Sequence, residues 1–335
     1  MGRSDLYLGV DAGNSKTLAA VADASGRIVG WARGGLGDIY GAATPEHAID
    51  TVLSVVDSAL DAAGVDAGRI ASAAFRLAGV DWPEDESLWR AALDARLPGV
   101  GRHSVKNDGF ALLRCGEPSG VGVAVSLGTG AAIAGRGTGG DEFFVSWWFQ
   151  HNLGAAGLGS DAFRATMLAE LGLGEPTSLG AALSAFYGTA GAEDLLHAFT
   201  RREAPLGHHD RARAARIVVA EAAAGDPVAL AIVQEHATRA VDYITICARR
   251  VGLDAHRERP VVLGGSVLSA PDSLLRRLIV DELHNAIPDA RVVTTGAVPI
   301  RGAVLDALAE GGIAVDAGIQ GRVLGSEPPE GLLST

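Results

Sequence analysis

LYLGVDAGNSKT, residues 6–17, decides the fold: a short apolar run passes directly into an acid, a glycine and a cluster of hydroxyls with one lysine. Glycine lets backbone amides approach phosphate oxygens, Ser15 and Thr17 add hydroxyl donors, and Asp11 at the strand end suits a hydrated magnesium ion. Lys16 and Lys106 are the only two lysines of the chain, which otherwise uses arginine for its cations. One lies inside this turn and the other lies two residues before Asp108, so both fall where phosphate chemistry is expected.

Outward from this stretch, LYLGVD, TLAAVAD and RIVGWAR alternate with turn residues and predict three consecutive strands forming a meander. Thr44 to Gly64 predicts a helix, with a capping Thr, Pro at the next position, Glu46 in the first turn and Gly64 as the stop. A buried strand RIASAAFRLAG, a helix ESLWRAALDARL and a strand end RHSVKND follow, which completes an α/β layer with a mixed sheet. The pattern then partly repeats. GVGVAVSLGTG is again an apolar strand entering a glycine turn, and AAIAGRG is its partner. Residues 161–252 are mostly Ala-rich helix, with a polar loop expected at His208-His209-Asp210. PVVLGGSVL is a third strand into a glycine turn, expected at the start of a helix. The helix SLLRRLIVDELHNAI, the strand ARVVTT and the helix IRGAVLDALAEGG come next, and the last residues read as a loosely packed tail.

Length and composition exclude several classes. The 335 residues, 48% hydrophobic with mean hydropathy +0.21, are enough for two cores. A formal net charge of -12 disfavours a nucleic-acid or anionic-membrane partner. No signal-like start and no run of about 18 apolar residues is present, so a cytoplasmic protein is expected. Cys115 and Cys247 are isolated and read as small buried hydrophobes, with neither metal-ligand nor disulfide spacing.

Three glycine turns and one acid carry the chemistry. Asp11, Gly13, Asn14, Ser15, Lys16 and Thr17 form the first turn; Ser126, Gly128, Thr129 and Gly130 the second; Gly264, Gly265 and Ser266 the third. Each alone is equally a tight structural turn. Asp108 in VKNDG is either a carboxylate held for chemistry or the N-cap of the helix it opens. Lys106 either supports phosphate or is a surface lysine.

In this order and spacing the chain resembles the actin-like ATPase superfamily of sugar kinases, and within it the N-acetylglucosamine kinase group of the BadF/BadG/BcrA/BcrD family. The resemblance runs from Leu6 to about Leu308. GVDAGNSKT and SLGTGA are similar to the phosphate motifs, VVLGGSV to the adenosine motif, and PIRGAVLDAL to a closing segment that returns to the first domain. This implies an α/β fold of two actin-like (ribonuclease H-like) domains, each a mixed five-stranded sheet flanked by helices, with an ATP cleft between them. The implied boundaries are 1–116 and 117–298, with a helical insertion about 161–252, a closing helix at 299–312 and a tail at 313–335. It also implies an ATP- and Mg2+-dependent phosphotransferase acting on a small sugar or amino sugar, forming a homodimer. In it the thirteen turn residues bind the nucleotide, Asp11 holds the metal, and Asp108 is the general base. Asn107 and Asp108 contact the acceptor.

The acceptor side departs from the pattern. Against a family segment close to GGWGHLLGDEGS, Trp147 to Leu158 retain His151, Gly154 and Gly157. Ala155 and Ala156 replace the two acids, and Trp147 and Trp148 replace the leading glycines. Asp38 stands where the family has Asn, so an acceptor-only carboxylate replaces an amide. Asp38, Trp148 and His151 are therefore taken as substrate contacts of an altered pocket, with Asp161 beside them at its wall; Trp148, His151 and Asp161 read equally as core packing. A degenerate sugar- or nucleotide-binding sensor of the same fold is the alternative. An activator of an acyl-CoA dehydratase is disfavoured because no cysteine lies near a phosphate turn.

Overall fold

The computed structural model describes residues 5–255 and 258–333. Two compact units compose the chain: Met1–Ala124 with Ala134–Ser146 and Ala297–Thr335, and Val125–Ile133 with Trp147–Gly296. The first begins with strands β1 (Leu6–Ala12), β2 (Thr17–Asp23) and β3 (Ile28–Gly34), then helix α1 (Pro45–Ala63), β4 (Ile70–Leu77), α2 (Pro83–Arg96), β5 (Arg102–Asn107) and the single turn α3 (Leu113–Gly116). The sheet order is β3-β2-β1-β4-β5, with the meander antiparallel and β4 and β5 parallel. β1 reads as an unbroken apolar run because it is central and covered on both faces. Leu6, Leu8, Val10 and Ala12 join the core formed with α1 and α2, while Tyr7 joins the opposite core. Helix α1 starts and stops as its residues dictate. The Thr44 side chain accepts from His47 N, Pro45 occupies the first turn, and Gly64 closes it at φ 67°, a conformation that favours glycine.

The chain continues through β6 (Gly122–Leu127), β7 (Ala131–Arg136) and β8 (Glu142–Phe144) into helices α4 (Ala155–Glu170), α5 (Leu179–Tyr187), α6 (Ala192–Thr200), α7 (His208–Ala212), α8 (Ala215–Ala224) and α9 (Pro227–Arg250). β9 (Arg259–Gly264), α10 (Leu274–Ala286) and β10 (Ala290–Thr294) follow, and the second sheet has the order β10-β9-β6-β7-β8. The two sheets thus repeat one connection pattern: three consecutive strands, then two reached by crossovers. His208 and His209 open the short helix α7, where a loop was expected, because the Asp210 carboxylate accepts from Gly207 N and fixes the first turn. Among the described residues, no single helix is long and apolar enough to cross a membrane.

Helices α11 (Ile300–Glu310) and α12 (Ala317–Gly325) complete the first unit. Ile300, Ala303, Val304, Ala307 and Leu308 pack with Tyr7, Leu18, Ala20 and Ala74 in its second core. The approach is close enough that a methyl group on Gly9 would run into the Val304 backbone, and one on Gly302 into the Ala111 carbonyl. An ionic cluster lies within this packing. Arg76, fully buried on β4, meets Asp306 Oδ2 at 2.8 Å, and Arg114 and Arg136 reach Asp306 Oδ1 at 2.7 and 3.3 Å. The three guanidiniums hold the Asp306 carboxyl well below the usual carboxylate range despite its burial. The expected loose tail is instead ordered: Asp316 caps α12, Val323 is fully buried, and Arg301 donates to the Ser326 carbonyl at 2.9 Å. Its few apolar residues sufficed because they complete a core formed by distant strands.

Candidate functional site

The first unit gathers the leading turn and four carboxylates. Asp11, at the end of β1, pairs in register with Leu18 on β2 and Arg76 on β4, which fixes its backbone on two sides. The turn is closed by Gly13 N donating to Lys16 O at 2.9 Å, leaving Asn14 and Ser15 exposed at its tip. Burial pushes the Asp11 carboxyl up to about 7, and Lys16 only partly offsets this. Lys16 is itself lowered, by burial first and then by the facing Arg33. Thr17 is fully buried and its hydroxyl lacks a protein partner.

Asp108 is the first residue of a short 3-10 turn after β5, but it is not the cap. Asn107 caps the turn through Oδ1, which accepts from Gly109 N at 2.9 Å, and donates through Nδ2 to Asp81 Oδ1 at 2.9 Å. The carboxylate of Asp108 is therefore not consumed in holding its helix. Burial, then the facing charges of Asp11, Asp81 and Asp38, push it up to about 7. Asn107 is buried, and its amide is committed to Gly109 and Asp81.

Asp38 is 6% exposed and accepts from Tyr40 N at 2.9 Å. Tyr40, in turn, donates its hydroxyl to Asp85 Oδ1 at 3.0 Å. Asp81 also accepts from Ser146 Oγ at 2.6 Å. Asp81, Asp85 and Tyr40 were absent from the sequence reading. One signal for Asp81 existed: Gly79-Val80-Asp81 after β4 repeats Gly9-Val10-Asp11 of β1. The same triplet at Gly64-Val65-Asp66 follows a helix, so only the strand context distinguishes them. Lys106 pairs with Glu142 and lies 5.9 Å from the Phe110 ring centroid.

The second unit joins the other two glycine turns. Gly128 N donates to Gly130 O at 3.0 Å, and the hairpin accepts from the first turn of α4, Ala155 N to Gly128 O and Ala156 N to Thr129 O, both 2.9 Å. Ser126 lies half-buried on β6, and Thr129 is exposed. Gly265, at φ 88°, rests on the Leu127 backbone, and Val267 N donates to Leu127 O at 3.0 Å. A single helical turn runs from Gly265, whereas α10 begins only at Leu274 with Ser273 as its cap. Gly264 to Ser266 therefore do not open a helix as expected. Beside this turn lies a cavity of about 450 Å3 with mainly apolar walls, lined by Ala155, Arg213, Arg216, Val219, Ser266 and Ser273 among others. That is the size of a small-ligand site.

Trp148 is 60% exposed, and His151 is exposed. Asp161 on α4 pairs with His236 Nε2 at 2.8 Å and Arg164 at 2.9 Å. Cys115 and Cys247 are buried as expected, and burial pushes both thiols up to about 12.

A model of one protein family matches residues 8–308 of this chain. The chain belongs to the BadF/BadG/BcrA/BcrD ATPase family. A curated relative is the N-acetyl-D-glucosamine kinase of Dictyostelium discoideum, 23% identical over 315 residues, covering 91% of this chain and 98% of the relative. Among solved structures, a Chromobacterium violaceum protein provisionally assigned as an N-acetylglucosamine kinase aligns with TM-score 0.65 at 24% identity, over 91% of this chain and 99% of its own. A ROK-family glucokinase from Streptomyces griseus, solved with glucose and AMPPNP, aligns with TM-score 0.55 at 18% identity, over 91% and 98%. At these identities the structural likenesses establish the fold: an α/β family member with two mixed five-stranded sheets flanked by helices.

Proposed function

We propose that this family member is an ATP-dependent kinase that transfers the γ-phosphoryl group to a hydroxyl of a sugar or amino sugar. The observation that carries the reading is Asp108: an uncapping carboxylate at a strand end, raised to about 7, in the same unit as the glycine turn around Lys16. Such a group is poised to accept a proton near neutral pH.

Phosphoryl transfer asks a protein chiefly to position groups and neutralise charge. The exposed tip of the 13–16 turn and the exposed residues of the 128–130 hairpin offer backbone amides and hydroxyls to phosphate oxygens. The apolar cavity beside Ser266 suits an adenine ring, with Arg216 stacked 4.5 Å from the Phe186 centroid at its wall. Asp108 accepts the proton as the acceptor oxygen bonds to the γ-phosphorus, while the bond from that phosphorus to the β-bridging oxygen breaks and ADP leaves with its electron pair. Lys16 supplies positive charge near the phosphates.

Asp11 fits a magnesium ion. It is a half-buried carboxylate that burial pushes up to about 7, so its charged form gains by meeting a cation. Mg2+ commonly takes one or two carboxylates and completes its shell with water and phosphate oxygens. When bound, the ion would neutralise phosphate charge.

The test is Asp108→Ala or Asp108→Asn, assayed by ADP release over a panel of sugars and by ATP-induced thermal stabilisation. Transfer should fall by at least about 100-fold while ATP binding persists. Full activity in either variant removes the mechanism. ATP binding by the unmodified chain without turnover of any acceptor would instead favour a sensor.

A further inference from the structure

We propose that Asp272 binds the ribose hydroxyls of the nucleotide and so selects ribonucleotides over their deoxy counterparts; the assignment rests on the reading of the cavity beside Ser266 as the nucleotide site and deepens it. Asp272 lies in the loop between β9 and α10 and lines that cavity, which belongs wholly to the second unit. Its backbone sits at φ 54°, in the left-handed region that favours glycine. Strain of this kind persists only where the surroundings impose it, and it gathers at ligand sites. Here the loop imposes it. Arg277 donates to the Asp272 carbonyl at 3.2 Å, Ser273 Oγ donates to Val267 O at 3.0 Å, and Arg276 spans the loop to Leu268 O at 2.7 Å and Ala270 O at 3.0 Å. The backbone of Asp272 is thus fixed, while its carboxylate has no hydrogen-bond or ion-pair partner among the described residues.

The chemistry of the lining decides which part of a nucleotide this carboxylate meets. The wall formed by Ala212 and Ala215 is buried and apolar, whereas Ser266 and Asp272 are exposed. A flat purine suits the apolar wall, which leaves the sugar at the exposed rim. The other polar side chains of the lining are engaged elsewhere. Ser273 Oγ is committed to Val267 O and accepts from Arg276 N, Arg213 pairs with Asp210 at 3.6 Å, and Arg216 stacks on Phe186. An ionised carboxylate only accepts, so it can meet neither a phosphate, which repels it, nor a ring nitrogen without a proton. Two neighbouring hydroxyls can each donate to it, and hydrogen bonds to a charged acceptor are roughly twice as strong as neutral ones. A carboxylate on the ribose hydroxyl is also how dinucleotide folds hold their sugar.

The experiment titrates the unmodified chain, Asp272→Gly and Asp272→Asn with ATP, 2′,3′-dideoxy-ATP and ITP by calorimetry, with Mg2+ and no acceptor. The unmodified chain should bind ATP at least about tenfold more tightly than dideoxy-ATP. Asp272→Gly should weaken ATP by about tenfold and leave dideoxy-ATP within about twofold, and Asp272→Asn, which keeps a neutral acceptor, should fall between. Glycine accepts φ 54° without strain, so Asp272→Gly without nucleotide should melt within about 2 °C of the parent. Equal affinities of ATP and dideoxy-ATP for the unmodified chain, or equal weakening of both in Asp272→Gly, overturns the assignment. So does an effect of Asp272→Gly on ATP that spares ITP, which has the same ribose and would place Asp272 on the adenine amine. Sugar phosphorylation is read separately by ADP release. Turnover without discrimination at the ribose removes this assignment and leaves the kinase reading, whereas discrimination without turnover of any sugar removes the kinase reading and leaves Asp272 on the ribose.

Discussion

Replacing Asp108 with Asn should make the protein more stable at and above neutral pH while removing its chemistry. The folded chain raises this carboxyl from 3.8 to about 7, so between those values the native state holds a proton that the unfolded chain has released. The unfolded state binds fewer protons there, and stability therefore falls as pH rises from about 4 to about 7. At 1.36 kcal/mol per pH unit the full shift corresponds to about 4 kcal/mol. Asp108 is partly open to solvent, which screens its repulsion by Asp11, Asp81 and Asp38, so about 2 kcal/mol is expected in practice. An amide of the same shape carries no such cost. Thermal unfolding without nucleotide and with a chelator should show the variant melting roughly 3–5 °C above the parent at pH 8. The two should converge at pH 4. A variant equal to or less stable than the parent at pH 8 would refute the account of Asp108 as a carboxyl raised by burial and its three facing carboxylates.

Asp306→Ala should destabilise by about 3–5 kcal/mol, read by denaturant unfolding, because it takes from the fully buried Arg76 the carboxylate it shares with Arg114 and Arg136 and leaves Glu310 to pair with it. Val219→Trp should fill part of the cavity beside Ser266 and raise the KM for ATP at least about tenfold, with the melting temperature in the absence of ATP little changed. Lys16→Met should weaken ATP-dependent turnover by about tenfold or more without unfolding the chain, since the side chain is only half-buried. Gly302→Ala should unfold or severely destabilise the first unit, seen as loss of soluble protein or a fall in melting temperature of several degrees, because its methyl group has no room against the Ala111 carbonyl.

Much of the architecture is local information. Apolar runs, the Thr44-Pro45 start and the Gly64 stop are resolved within a few residues, and the strands and long helices lie where periodicity places them. β8 escaped because three residues carry no period, and α12 because its burial comes from β2, β3 and α11 rather than from its own pattern. Asp108 illustrates the same division at the site. Its place after a strand is visible in VKNDG, but whether it caps its turn depends on Asn107, whose amide is drawn to Asp81 from another loop.

The amino-acid sequence by itself determined the two α/β layers, the three glycine turns and the acid at the end of the fifth strand, because strand period and turn chemistry act over neighbouring residues. Only the tertiary structure decided that Asp11, Asp38 and Asp81 face Asp108, that Arg76 is neutralised by an acid 230 residues away, and that Ala155 borders a cavity with Ser266. Charge interactions and cavities depend on distance in space, and the spacing of these residues along the chain carries no record of it.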